Sequence, residues 1–133
     1  MTYLDTSFLI GVVLLSHPQH AECYRIFDAT SDRVTCTHAL AETFSALTGS
    51  YKVPTEVAAE LTLGLRERVK VGPLTLIDYE TAISEAKRRG VMGGGIYDSL
   101  HATYARRCAA TRIITRNPGH FQHVAPELQI VVP

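Results

Sequence analysis

The stretch MTYLDTSFLI, residues 1–10, decides how the rest of the chain is read. Thr2–Asp5 has the composition of a short strand, and the apolar run Phe8–Leu15 follows with helical character. Asp5 therefore falls at the carboxyl end of the first strand, where strand gives way to helix. In open α/β sheets that edge is where ligands bind. Aspartate is also a favoured N-cap, its oxygen accepting from the first-turn N–H groups. Position alone does not separate these two roles. The placement of the other acids does.

The chain has 133 residues, enough for one domain, 1–133, with a core that needs no disulfide or metal staple. The Phe8–Leu15 run is too short to span a membrane and is closed by Ser16, His17 and Pro18. No positively charged segment precedes it, as a signal peptide would require, so a cytoplasmic location is expected. Cys23, Cys36 and Cys108 are odd in number and lack CxxC spacing, which reads as free thiols. Thirteen basic and thirteen acidic residues give zero formal charge, unlike a protein that coats nucleic acid non-specifically. The cations instead group locally, as Lys87-Arg88-Arg89, Arg106-Arg107, and Arg112 with Arg116.

Periodicity and breakers predict alternating elements. Pro18 should open a helix to about Thr30, with Ala21, Tyr24 and Phe27 on its apolar side. Arg33–Thr37 reads as a strand, and Thr37 as the cap of a helix over His38–Ser50 with Leu40, Phe44 and Leu47 as its stripe. Pro54 should open a helix to Val69, buried through Val57, Leu61 and Leu65. Leu74–Ile77 reads as a strand, with Asp78 capping a helix to Arg89. After Gly93-Gly94-Gly95 a helix is expected over Ile96–Cys108, then strands at Arg112–Thr115 and Gln129–Val132. Asn117-Pro118 reads as a cap and first residue of a short turn. Strands alternating with helices imply a central, mainly parallel sheet flanked by helices, an α/β fold in three layers.

That topology brings Asp5, Glu42 and Asp98 toward one sheet edge. Each lies just beyond a strand or early in a helix. Three carboxylates together repel, and some protonate. A hard divalent cation removes that repulsion; Mg²⁺ takes oxygen ligands, keeps several waters, and can bridge carboxylates to a phosphate. Such an ion can acidify water and stabilise charge on a phosphodiester. His101 lies on the Asp98 face of its helix, where a packed, hydrogen-bonded histidine competes with a general base.

The segments YLDTS, HALAETFSAL, GGIYDSLHATYA and TRNPGHF occur in this order along essentially the whole chain. In this combination the chain resembles PIN-domain nucleases, especially VapC-type toxins of bacterial toxin–antitoxin pairs. The resemblance implies a PIN-like α/β/α fold and Mg²⁺-dependent endoribonuclease activity, with Mn²⁺ as a possible substitute and a product bearing a 5′-phosphate. It implies RNA as substrate, a cognate antitoxin whose tail blocks the acidic pocket, and a homodimer. Asp5, Glu42 and Asp98 match the family's acidic metal-binding positions. Ser7 matches a small polar residue near the metal, and Thr115 opens the last motif, where it could orient Asp98 or a water. Asn117 departs from the pattern, standing where many members carry an acid. His120 falls where another polar or acidic residue is common in the family.

Asn117 keeps a second reading open, a catalytically inactive PIN-like module that binds RNA or protein. A receiver domain would want a phosphorylatable aspartate near mid-chain and a late lysine; Asp78 is poorly placed and no lysine follows Lys87. Zinc is invited by His17/His20/Cys23 and His120/His123, but no closed four-ligand set is visible.

Overall fold

The computed structural model describes residues 1–133. Five three- or four-residue strands form one parallel sheet: β1 (Thr2–Leu4), β2 (Arg33–Cys36), β3 (Lys70–Gly72), β4 (Arg112–Ile114) and β5 (Gln129–Val131). Their order is β3-β2-β1-β4-β5. The central strand, β1, pairs Tyr3 with Val34 on one side and with Ile113 on the other. Tyr3, Leu4, Val34 and Ile113 are fully buried, as expected of parallel strands covered on both faces. The chain builds outward from β1 through β2 to β3, then returns to add β4 and β5 on the far side. Strand order therefore reverses between β1 and β4, and the crevice at their carboxyl ends is the topological switch point.

The helices are α1 (Thr6–Val13), α2 (His20–Ala29), α3 (Thr37–Gly49), α4 (Thr55–Gly64), α5 (Leu76–Glu85) and α6 (Gly95–Arg107). In one group α1 packs against α2 and α3, and α3 against α4. In the other, α5 packs against α6. Phe8, Leu9, Phe27 and Phe121 join Tyr3 and the strand residues in the main core. Ile10, Leu14, Leu47 and Ala58 form a smaller apolar cluster.

Several expected elements shift. Leu74–Ile77 is not a strand: α5 begins at Leu76, and the strand beside β2 is Lys70–Gly72. Asp78 is not the N-cap of α5. Thr75 caps it, and Asp78 closes a reciprocal capping box, accepting from the Thr75 N–H at 2.8 Å. The helix after Pro54 ends at Gly64 and tightens into a 3₁₀ turn at Leu65–Glu67, short of Val69. The helix expected to reach Arg89 stops at Glu85, and Gly90 carries the positive φ (66°) of the turn beyond. Two apolar faces are rotated from expectation. Cys23 and Phe27 bury α2 while Tyr24 is exposed; Ala58 and Thr62 bury α4 while Val57 is exposed. Pro18 lies ahead of α2, whose N-cap is Gln19, and Thr37 is the first residue of α3 rather than its cap. Cys23 and Cys36 are free and buried, and Cys108 is free and half-buried.

The candidate active site

Asp5 ends β1 and caps α1, with φ −77° and ψ 153°. All its protein contacts fall on one oxygen. Oδ2 accepts from the Ser7 N–H at 3.3 Å, the Ser7 hydroxyl at 2.6 Å and the Thr115 hydroxyl at 2.7 Å. Oδ1 has no hydrogen-bond partner. The cap therefore uses one oxygen and leaves the other without a protein partner. Ser7 is itself held by the Arg116 N–H at 2.9 Å, which ties α1 to the segment after β4. Thr115 is fully buried and orients Asp5, not Asp98.

Glu42 projects from the second turn of α3. Its Oε1 accepts from the Thr6 hydroxyl at 3.0 Å and meets His101 Nε2 at 2.5 Å. His101 is 1% exposed. Its Nδ1 faces the Tyr3 hydroxyl at 2.5 Å, and that hydroxyl lies 3.2 Å from Cys36 Sγ. Both ring nitrogens are thus committed inside the protein, and His101 does not line the cavity described below. It is the packed, hydrogen-bonded histidine, with Glu42 as its partner. Burial works to lower its imidazole pKa, but the hydrogen bonds to Cys36 and Glu42 outweigh burial and raise it well above the ordinary value. Burial likewise pushes Glu42 upward, and the His101 contact, followed by His38 and Thr6, brings it below the usual carboxylate value.

Asp98 stands in the first turn of α6, after a triple glycine in which only Gly93 has positive φ (52°). Its one polar neighbour is His120 Nδ1, 3.5 Å from Oδ2. Burial raises its pKa; His120 opposes the rise, and the charges of Asp5 and Glu42 add to it.

The three acids line one cavity of about 300 Å³, together with Ser7, Asn117 and His120. The sequence-derived residues therefore meet, with Thr115 one layer behind. No lysine or arginine lines this cavity. Most of the grouped cations are engaged elsewhere: Arg88 and Arg89 with Glu85, Arg106 with Glu127, Arg107 with Asp78 and Arg112 with Thr2, while the Arg116 side chain bonds Gln19 and the Ser7 carbonyl. The Asn117 side chain makes no capping bond; only its backbone carbonyl closes the turn at Pro118–His120. The structure also brings in Thr6 and Tyr97, to which the sequence reading gave no role, and Gly94 of the triple glycine. Thr6 and Tyr97 adjoin Asp5 and Asp98 in sequence, and that adjacency was their one signal.

No three histidine, cysteine or carboxylate side chains close around a single point as a ready-made cage. The zinc spacings therefore form no site: His17 Nδ1 accepts from the Gln19 N–H and His20 Nδ1 meets the Gly11 carbonyl. The acidic cavity suits a different ion. Asp5 Oδ1, Glu42 Oε2 and Asp98 Oδ1 all lack protein partners, and hard oxygens around open volume fit a cation that retains part of its water shell.

A profile of the PIN domain matches residues 2–126. The chain belongs to the PIN-domain family. Solved structures share the fold at low identity. VapC20 of Mycobacterium tuberculosis, described as a sarcin–ricin loop cleaving toxin, aligns at TM-score 0.72 with 18% identity, over 85% of this chain and 87% of that one. VapBC2 of Rickettsia felis, bound to a promoter DNA fragment, aligns at 0.71 with 18% identity over 100% and 99%. VapBC-1 of nontypeable Haemophilus influenzae aligns at 0.65 with 24% identity over 99% and 98%. No curated protein sequence matches this PIN domain. Its β1–β4 crevice and the acidic cavity occupy the same sheet edge.

Proposed function

We propose that this PIN domain is a Mg²⁺-dependent endoribonuclease, with Mn²⁺ as a substitute, and that it acts as the toxin of a toxin–antitoxin pair. The observation that carries the reading is the set of three carboxylates that line one cavity, each with an oxygen that has no protein hydrogen bond, on a chain of this family. Asp5, Glu42 and Asp98 would hold the ion, directly or through water. When bound, the ion supplies acidified water and a counter-charge for the phosphodiester. The protein's own part is orientation. Ser7 and Thr115 fix Asp5, and Thr6 and His101 fix Glu42, so that neither carboxylate has to reorganise.

Toxin–antitoxin assemblies among the similar structures support an antitoxin partner, and a cavity rimmed by three acids is a natural acceptor for an arginine from an antitoxin tail. A homodimer and an RNA substrate complete the proposal. No helix is long and apolar enough to cross a membrane. The alternative, an inactive RNA- or protein-binding module, is favoured by one observation: Asn117 brings an uncharged side chain to the cavity.

The test is incubation of purified protein with total cellular RNA in Mg²⁺, Mn²⁺ or EDTA, followed by sequencing of new 5′ ends. Metal-dependent ends that vanish with Asp98→Asn are expected. Ends that persist in that variant overturn the mechanism. Expression alone should arrest growth where Asp5→Ala does not; equal harmlessness in the native host removes the toxin role and leaves the nuclease.

A further inference from the structure

The acidic cavity does not end at Glu42. Glu42 and Tyr97 also border a larger groove of about 700 Å³ along the outward side of α3, floored by Ala41, Ser45 and Gly49. Where the two meet, the rings of His38 and Tyr97 lie nearly parallel, 5.4 Å between centroids and 10° between planes. Tyr97 is 50% exposed and directly precedes Asp98. A ligand resting against this ring lies beside the acidic pocket.

No lysine or arginine borders the groove, so it cannot hold backbone phosphates by charge. Its only apolar side chains are two alanines and Tyr97, too little apolar surface to anchor the large side chains of a docked helix. What it offers is a flat aromatic face beside small side chains. Unpaired RNA bases are recognised in this way, splayed out and stacked on tyrosine or histidine. Such stacking tolerates any base, since every base has a π-face.

We propose that the His38–Tyr97 pair is a stacking subsite for one unpaired nucleobase next to the phosphodiester held in the acidic cavity. The identity of the polymer rests on the nuclease reading above; the subsite itself rests on the ring geometry and on the shared border at Glu42 and Tyr97.

The test uses single-stranded RNA oligomers carrying the fluorescent base 2-aminopurine at successive positions. With metal-free protein in EDTA, stacking should quench the fluorescence at one position with wild type and with Tyr97→Phe, but not with Tyr97→Leu. In Mg²⁺, an abasic site at that position should lower wild-type kcat/KM roughly five- to a hundredfold, and should add nothing to the loss already caused by Tyr97→Leu. Quenching that survives Tyr97→Leu, or losses that simply multiply, overturns the subsite. Cleavage without any quenching leaves the nuclease and removes the subsite. Quenching without cleavage by wild type leaves the subsite and removes the nuclease.

Discussion

Each acid of the pocket keeps at least one oxygen without a protein hydrogen bond, so the number of charges in the pocket governs its behaviour. Asp98 is held above the usual carboxylate value by burial, with Asp5 and Glu42 adding to the rise. The folded, metal-free protein therefore binds this proton more tightly than the unfolded chain does. The resulting stability is complete below the unfolded pKa, about 4, and is lost as pH rises through the folded value. At pH 7 without metal, Asp98→Asn should thus raise the urea midpoint even as it abolishes cleavage, with the gain shrinking toward pH 4. A variant less stable than wild type at pH 7 would contradict this account. Asn117→Asp adds a fourth charge and should act in the opposite sense, lowering metal-free stability while reducing the Mg²⁺ needed for half-maximal cleavage. Superimposable Mg²⁺ titrations of the two proteins would show that Asn117 does not act on the ion. Behind Glu42, His101 acts through orientation. His101→Leu should weaken Mn²⁺ binding, read by electron paramagnetic resonance, by roughly 10- to 100-fold. His101→Gln, whose amide can replace the Nε2 donor, should recover much of it; two equally weak variants would reduce His101 to packing.

At the scale of elements, close approach decides what can change. A Cβ on Gly72, at the end of β3, would lie 1.9 Å from the Tyr104 hydroxyl of α6 and 3.0 Å from its Cζ. Gly72→Ala should therefore destabilise the fold by about 1–3 kcal/mol in urea melts, as overpacking does. Tyr104→Phe should return part of that loss, because it removes the nearest atom; strictly additive effects would show that the clash is relieved elsewhere. This contact was not readable from the sequence, since Lys70-Val71-Gly72 holds a single β-branched residue and Gly72-Pro73 reads as a breaker. Leu74–Ile77 looked like a strand because it is apolar and contains Thr and Ile. The T-x-x-D spacing of Thr75 and Asp78 was the better signal, and it marks a capped helix start. The faces of α2 and α4 were misjudged for a related reason: Cys23 and Thr62 do the burying but do not look strongly apolar. By contrast, α3, α6 and β4 were readable within a residue or two, and the three acids with them. Their supports were not. That Thr6 serves Glu42 depends on how α1 sits against α3, and that Thr115 serves Asp5 depends on the register of β1 against β4, neither of which any local pattern encodes.

For the whole molecule, the acidic pocket lies where strand order reverses, so an ion there would link segments from both halves of the chain. Mg²⁺ should raise the melting temperature of wild type, by the equivalent of about 2.7 kcal/mol at a hundred times its dissociation constant, and should leave Asp98→Asn nearly unmoved. Equal shifts in both proteins would place the ion elsewhere. The same arrangement governs when the pocket comes into being. Asp5 is held by Thr115, 110 residues later, and β1 lacks its second neighbour until β4 is made. A nascent chain can lay β1 beside β2, with β3 beyond, but it cannot complete the support of its first acid until most of its length has been translated. Whatever chemistry the pocket carries is therefore withheld from the ribosome for most of the time that it is making the protein.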